Sequence, residues 1–382
     1  MSKRIALCFF VDALGWETAQ KYGCFRPVAP HAYRQRTVLG YSCAAQPTIL
    51  TGAMPSTHEH WGMFYLSERS ELSPLRHLRW LPGGVSHHPR FRNALLNVHR
   101  RMSGFTGYYN FYRIPYELFA RFDLVEKRDL YAPGAFDADV SSIFDILAER
   151  GVPYRSWSWK TPLEQSAREL REVLLTDPEI RFAMLYTPVF DAFLHTHIGD
   201  EGATRETLAH IEQTVADLVA VARDRYSEVD VVVFSDHGMA PVVETFDLVD
   251  YLTRRGLAGG RRLTAFYDST MARFWPSSDA EGTAIEDALR ESGHGTVLTR
   301  EYLVDEGVYF ADGRFGRIIF LMNPGTLILP SHMGVRAPRG MHGYSPDDED
   351  SYAVLMSSDP VSPEPTHIRD SHRVMVSLLE RE

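Results

Sequence analysis

The chain has 382 residues, 44% of them hydrophobic and 24% charged, an ordinary globular composition long enough for one large α/β domain with insertions. Its formal net charge of −10 excludes the overall basic footprint of a general nucleic-acid binder, and no apolar run reaches the roughly 18 residues of a membrane span. Cys8, Cys24 and Cys43 are odd in number and lack a CxxC spacing, so reduced thiols are expected, not a disulfide framework or a zinc knuckle.

Arg4 to Val11, RIALCFFV, is an apolar run of strand length that ends at Asp12. It is short and no small-residue cleavage site follows, so it reads as a first strand and not a signal peptide. A cytoplasmic protein with no membrane partner is expected. Trp16 to Tyr22 begins a helix. Within Gly40 to His60, GYSCAAQPTILTGAMPSTHEH, Pro47 is tolerated in a first helical turn, which predicts a short helix from about Ala44 to Thr51 closed by Gly52. Ser42 then stands at the helix N-terminus, where backbone N–H groups and the dipole favour an anion beside its hydroxyl. Taken alone, such a serine is an N-cap. Cys43 is chemically the better nucleophile, but no neighbour reads as its activating base.

Residues 67–127 read as an inserted lid, rich in turn residues and aromatics. Between Glu71 and Arg128 there are ten Arg or Lys against four Asp or Glu. That balance suits a cover over an anionic substrate, with Arg90 and Arg92 as candidate contacts; a solvated surface loop is the alternative. Beyond it, Ser141 to Arg150 is helical, Val152 to Trp159 a strand and Leu163 to Leu175 a helix. Phe182 to Val189, FAMLYTPV, is a second apolar strand, with Asp191 and His195 close behind. Thr204 to Arg223 is an amphipathic helix with Thr204 as its N-cap. Val229 to Met239, VDVVVFSDHGM, is a third buried strand, stopping at Asp236 and His237. From 250 to 330 a smaller cap subdomain is expected, with Leu263 to Trp275 alternating as a strand, Ala284 to Glu291 helical and Ile318 to Met322 a strand. His342 lies in the loop Gly340 to Tyr344, Ala353 to Met356 is a last core strand, and Asp370 to Leu379 a final helix. The whole chain, 1–382, reads as one α/β domain: a doubly wound, mostly parallel sheet sandwiched by helices, with the inserted lid and the cap.

A single Asp after a strand is usually a turn residue. Here three apolar strands each deliver one just past the C-terminal end, where open α/β sheets bind ligands, and two of the three have a partner His. With His342, the set Asp12, Asp191, His195, Asp236, His237 and His342 offers oxygen and nitrogen ligands for two divalent ions of three ligands each, suited to Zn²⁺. Two cations about 4 Å apart hold the attacking and leaving oxygens of an in-line displacement at phosphorus. Coordination activates a serine without a general base. The expected cycle is attack by Ser42, a phosphoryl-Ser42 intermediate, and its hydrolysis.

These motifs, from Asp12 through S-x5-T-I-L-T-G at Ser42, Asp191-x3-His195 and Ser235-Asp-His-Gly-Met239 to Gly340-x-His-Gly343, resemble the alkaline phosphatase superfamily, in its type I phosphodiesterase/nucleotide pyrophosphatase branch. The resemblance implies one zinc on Asp191, His195 and His342 and another on Asp12, Asp236 and His237, with Ser42 as nucleophile and a small phosphate ester or nucleotide as substrate. Where the branch shows P-x-x-H-G and then an Asn that touches phosphate, this chain has Pro55-Ser-Thr-His58-Glu59 and Met63. The choice between diester and monoester is therefore open. A phosphomonoesterase, a phosphonate or sulfate-ester hydrolase, or a phosphotransferase or mutase could use the same scaffold, since chemistry follows the pocket. A sulfatase is disfavoured, because Cys43 is followed by Ala44-Ala45-Gln46-Pro47 with no Arg. A binding protein with a vestigial site is disfavoured by the complete ligand set. No heptad stretch marks an oligomer interface.

Overall fold

Successive side chains of a strand point to opposite faces, so a run that is apolar at every position requires a sheet covered on both sides. The computed structural model, which describes residues 4–86, 88–137, 139–257 and 263–381, has that arrangement. Arg4–Val11 lies inside a six-stranded sheet ordered His31–Gln35, Ala353–Ser357, Glu228–Phe234, Arg4–Val11, Phe182–Thr187, Tyr154–Trp157. The last four run parallel, and Ala353–Ser357 is antiparallel to both of its neighbours. Ala6, Cys8 and Phe10 pack on one face with Tyr186 and Phe234, while Leu7, Phe9 and Val11 pack on the other with Val231 and Val233. Helices Ser42–Thr51, Ile143–Glu149 and Asp370–Leu379 cover the first face; Leu163–Thr176 and Glu201–Arg223 cover the second. The expected mostly parallel sheet between two helical layers is present.

Three local expectations differ from what is found. The helix at Ser42 starts two residues earlier than read and carries Pro47 in its interior, so the proline does not mark its first turn. Glu201–Arg223 is capped by the Asp200 side chain, which accepts from the Ala203 N–H at 3.0 Å; Thr204 is inside the helix and its hydroxyl donates to the Asp200 carbonyl at 2.7 Å. The alternating stretch Leu263 to Trp275 is a hairpin of two strands, Thr264–Tyr267 and Met271–Trp275, because Asp268, Ser269 and Thr270 turn the chain.

That hairpin joins Ile318–Met322 and Gly295–Val297 in a second, four-stranded sheet, with Phe274, Ile285, Leu289 and Phe320 in a core of its own. Residues 258–262, within the span read as a cap, lie outside the described residues. The 67–127 region is more regular than its turn-rich sequence suggests. It contains the helix Pro89–Ser103, and Leu72, Leu96, Tyr109, Phe111 and Phe119 form a separate core.

Candidate active site

Three adjacent parallel strands end level with one another. Phe10 pairs with Tyr186 on one side and Phe234 on the other, so whatever follows each strand meets at one rim. Asp12 follows the first strand directly, and Asp236 and His237 follow Glu228–Phe234 after Ser235. Past Thr187 the chain enters the helix Val189–His197, where Asp191 and His195, four residues apart, share a face. His342 follows the two-residue strand Gly340–Met341, which pairs with Ala240–Pro241 just beyond His237. Backbone contact tightens the rim: a Cβ on Gly15 would stand 2.9 Å from Gly238 Cα, and one on Gly238 would stand 2.2 Å from the Asp350 carbonyl oxygen. Only glycines allow the turns after the first and the Glu228–Phe234 strands to touch.

The six ligand candidates and Ser42 meet at this rim. His237 Nε2 is 3.0 Å from Ser42 Oγ, 3.2 Å from Asp236 Oδ2 and 3.6 Å from Asp12 Oδ1. Asp191 Oδ1 is 3.4 Å from His195 Nε2 and 3.7 Å from His342 Nε2, and the His342 ring stacks on His237 with centroids 3.8 Å apart. Ligand atoms of Asp191, His195 and His342 lie within 4.8 Å of one another, and so do those of Asp12, Asp191 and His237. Asp191 is thus common to both groups, while Asp236 joins the second through its contact with His237.

This donor set fits cations. Asp12 Oδ1, Asp191 Oδ1, Asp236 Oδ2 and His342 Nδ1 are buried with no hydrogen-bond partner. Orphaned buried polar atoms cost about 1–3 kcal/mol each unless a ligand takes them, and carboxylate oxygens with imidazole nitrogens suit a zinc-like ion. Backbone carbonyls orient the rings: Nδ1 of His237 donates to Gly238 O at 2.9 Å and Nδ1 of His195 to Gly340 O at 2.8 Å, leaving each Nε2 turned to the rim. Burial, then the nearby Asp236 and Asp191, push the Asp12 carboxyl well above its ordinary range. Burial likewise lifts Asp236 to about 7. For Asp191 the effect of burial is outweighed by the neighbouring imidazoles of His195 and His342, which hold it at about 2.

Ser42 is the first residue of its helix, after Tyr41, whose hydroxyl accepts the Thr270 N–H at 2.9 Å. Cys43 is no rival nucleophile. Burial pushes its thiol up to about 12, and Sγ lies 3.6 Å from the Trp61 carbonyl to which it donates.

The expectation that Arg92 contacts substrate is not met. Its guanidinium is buried and donates to the carbonyls of Ser86, Phe111, Tyr112 and Ile114 at 2.8–3.1 Å, holding the region's own loop together. Arg90 is exposed on the same helix. From the 67–127 region it is Tyr108 and Tyr112, hydroxyls 3.4 Å apart, that come near enough to Asp191 to feel its charge. Met63 packs its side chain against the aromatic core of that region.

Sequence reading also missed a polar chain behind the rim. The Tyr186 hydroxyl donates to Asp12 Oδ2, Gln46 Nε2 donates to the Tyr186 hydroxyl at 3.3 Å, and the Tyr131 hydroxyl donates to Gln46 Oε1 at 3.3 Å. The available signal was Tyr186 itself, since a tyrosine in a fully buried strand needs a partner for its hydroxyl.

The family model for type I phosphodiesterase / nucleotide pyrophosphatase matches residues 37–345, well over half of the chain. The chain belongs to this family. Comparison with curated protein sequences gives no match. Among solved structures, human ectonucleotide pyrophosphatase / phosphodiesterase 5 superposes with a TM-score of 0.69 at 14% identity, over 99% of this chain and 95% of that one. An inactive form of the murine protein in complex with AMP superposes with a TM-score of 0.68 at 15% identity, over 99% and 96%. At such identities the likeness is one of fold. As a type I phosphodiesterase / nucleotide pyrophosphatase family member, the protein is a phosphodiesterase-type hydrolase, and its motifs from Ser42 to His342 fall inside the matched span.

Proposed function

We propose that this family member is a two-metal-dependent hydrolase of phosphodiester or nucleotide pyrophosphate bonds acting through a phosphoryl-Ser42 intermediate. The observation that carries the reading is the set of orphaned buried oxygens of Asp12, Asp191 and Asp236 gathered beside the Ser42 hydroxyl. Asp191, His195 and His342 hold one divalent ion, Asp12, Asp236 and His237 the other, and zinc is the ion these ligand types suit best. When bound, the ions supply Lewis-acid polarisation of the phosphoryl group and lower the pKa of the serine hydroxyl.

The protein's own residues do the rest. Ser42, heading its helix, offers the hydroxyl oxygen while the first N–H groups of that helix receive phosphoryl oxygens. Its Oγ bonds to phosphorus as the bond to the leaving alcohol or nucleotide breaks. Water then cleaves the bond between Ser42 and phosphorus, restoring the hydroxyl. A nucleotide substrate is supported by the family and by AMP in the murine neighbour, and the rings of Tyr108 and Tyr112 offer an aromatic border to the site.

Metal content measured together with hydrolysis of bis-p-nitrophenyl phosphate tests this reading. Chelation is expected to abolish turnover and added Zn²⁺ to restore it; chelator-resistant turnover refutes it. Met63, which has no amide to offer phosphate, keeps phosphomonoester hydrolysis as the second reading. Comparing kcat/KM for a diester, a monoester and a sulfate ester on one preparation separates the two.

A further inference from the structure

Between Glu71 and Glu117 the sequence carries seven arginines and no Asp or Glu, in a chain whose net charge is −10. Each of the two longer helices in this stretch has one side packed inward and the other exposed. On Ser73–Trp80, Leu75 and Leu78 pack on the aromatic core around Phe111 and Phe119, while Arg76, His77, Arg79 and Trp80 are exposed. On Pro89–Ser103, Phe91, Leu95 and Leu96 face that same core, and Arg90, Asn97, Val98, Arg101 and Met102 are exposed. The exposed apolar side chains are large: Met102 is 83% accessible, Trp80 77% and Val98 53%. The Arg79 guanidinium lies 4.7 Å from the centre of the Trp80 ring.

We propose that the exposed sides of these two helices together dock the protein on an anionic lipid bilayer. The arginines meet headgroup phosphates, and Trp80, Val98 and Met102 enter the boundary between headgroups and acyl chains, where amphipathic helices with a cationic face and Trp settle. The sequence-based expectation of no membrane partner rested on the lack of a spanning segment. No helix among the described residues is long and apolar enough to cross a membrane, but a surface contact requires none. A nucleic acid would satisfy the arginines and leave Val98 and Met102 without a purpose, since such surfaces recruit aromatic stacking and cations, not aliphatic side chains.

A run of aromatic contacts leads from the second helix towards the tyrosines that feel the charge of Asp191. Arg100, on the same helix, lies over the rings of Tyr109 and Trp159, at 4.9 and 5.2 Å from their centres. Trp159 packs edge-on against Tyr108 at 5.1 Å, and the Tyr108 hydroxyl lies 3.4 Å from that of Tyr112. The inference reaches beyond the proposed reaction and does not depend on it.

Co-sedimentation of the full chain with vesicles of phosphatidylcholine alone, or mixed with phosphatidylglycerol, tests the proposal. Binding is expected to the mixed vesicles only, weakening with salt, and to fall about tenfold or more in the triple variant Arg76→Glu, Arg79→Glu, Arg101→Glu. The pair Trp80→Ser, Met102→Ser is expected to weaken it as well, and a blue shift of tryptophan emission on mixed vesicles is expected to vanish in Trp80→Phe. Unchanged thermal melting and unchanged hydrolysis of a soluble diester show that these variants are folded. Absence of binding to mixed vesicles, equal binding to neutral ones, or full binding by the triple variant overturns the proposal. Capture of a single-stranded oligonucleotide without vesicle binding overturns it in favour of a nucleic acid.

Discussion

The Ser42 hydroxyl touches His237 at 3.0 Å and belongs to no packing core, so it can be deleted cleanly. Ser42→Ala is expected to lower kcat by on the order of 10³ or more while leaving zinc affinity, measured by calorimetry, nearly intact; unchanged turnover would reassign the nucleophile. Tyr186→Phe acts one layer further out. It removes the donor to Asp12 Oδ2 yet keeps the ring on Phe10 and Tyr131, so metal affinity is expected to drop about 10- to 100-fold with little change in melting temperature. The ligand candidates were legible in sequence because an Asp just past a buried strand has no place in the core. Tyr186 and Gln46 were not, because each sits in an apolar run where its position reads as packing. Arg92 misled for a related reason: a charge count does not say which arginines turn inward to bind carbonyls.

At the level of elements, the strands were the most legible feature, since Arg4–Val11 and Ile318–Met322 are apolar at nearly every position and nothing but a buried strand explains their length. The helix Pro89–Ser103 was obscured. Its inward residues are few and interleaved with arginines, so a stretch dominated by charge and flanked by Gly and Pro reads as loop. The turn that carries Asp236 and His237 depends on a glycine the sequence could suggest only as a turn former. Gly238→Ala would drive a methyl group to within 2.2 Å of the Asp350 carbonyl oxygen. The expected result is a loss of several kcal/mol in chemical denaturation together with a loss of bound metal, because the backbone must move and carries both ligands with it. A stable variant with full metal stoichiometry would show that the loop at Asp350 yields instead.

For the molecule as a whole, stability is expected to fall with acid for a reason remote from catalysis. His332 accepts the Tyr267 N–H and His367 accepts the Arg369 N–H, each through Nδ1, so both rings are neutral in the fold. Burial, reinforced by Arg273, lowers His332 to about 3; burial, reinforced by Arg369 and Arg36, lowers His367 to about 4. Between those values and the ordinary 6.5 the unfolded chain binds more protons than the folded one, so stability rises with pH across that window. Their contribution is complete above pH 6.5 and is lost as pH falls towards 4, by up to about 1.4 kcal/mol per pH unit for each ring. Melting temperatures recorded from pH 7 to 4 should show the decline, and the double variant His332→Asn, His367→Asn should make it shallower, with His58 and His372, lowered in the same direction by burial, sustaining the rest.

The central place of Arg4–Val11 also bears on how the protein is made. Both of its neighbours, Phe182–Thr187 and Glu228–Phe234, leave the ribosome long after it does. Through that interval the nascent chain trails an unpaired apolar ribbon with both edges open, the kind of segment that sticks to its own copies. Chaperone occupancy of the nascent chain until Phe234 emerges, and insolubility of fragments that stop short of it, are the outcomes expected from where one eight-residue strand sits.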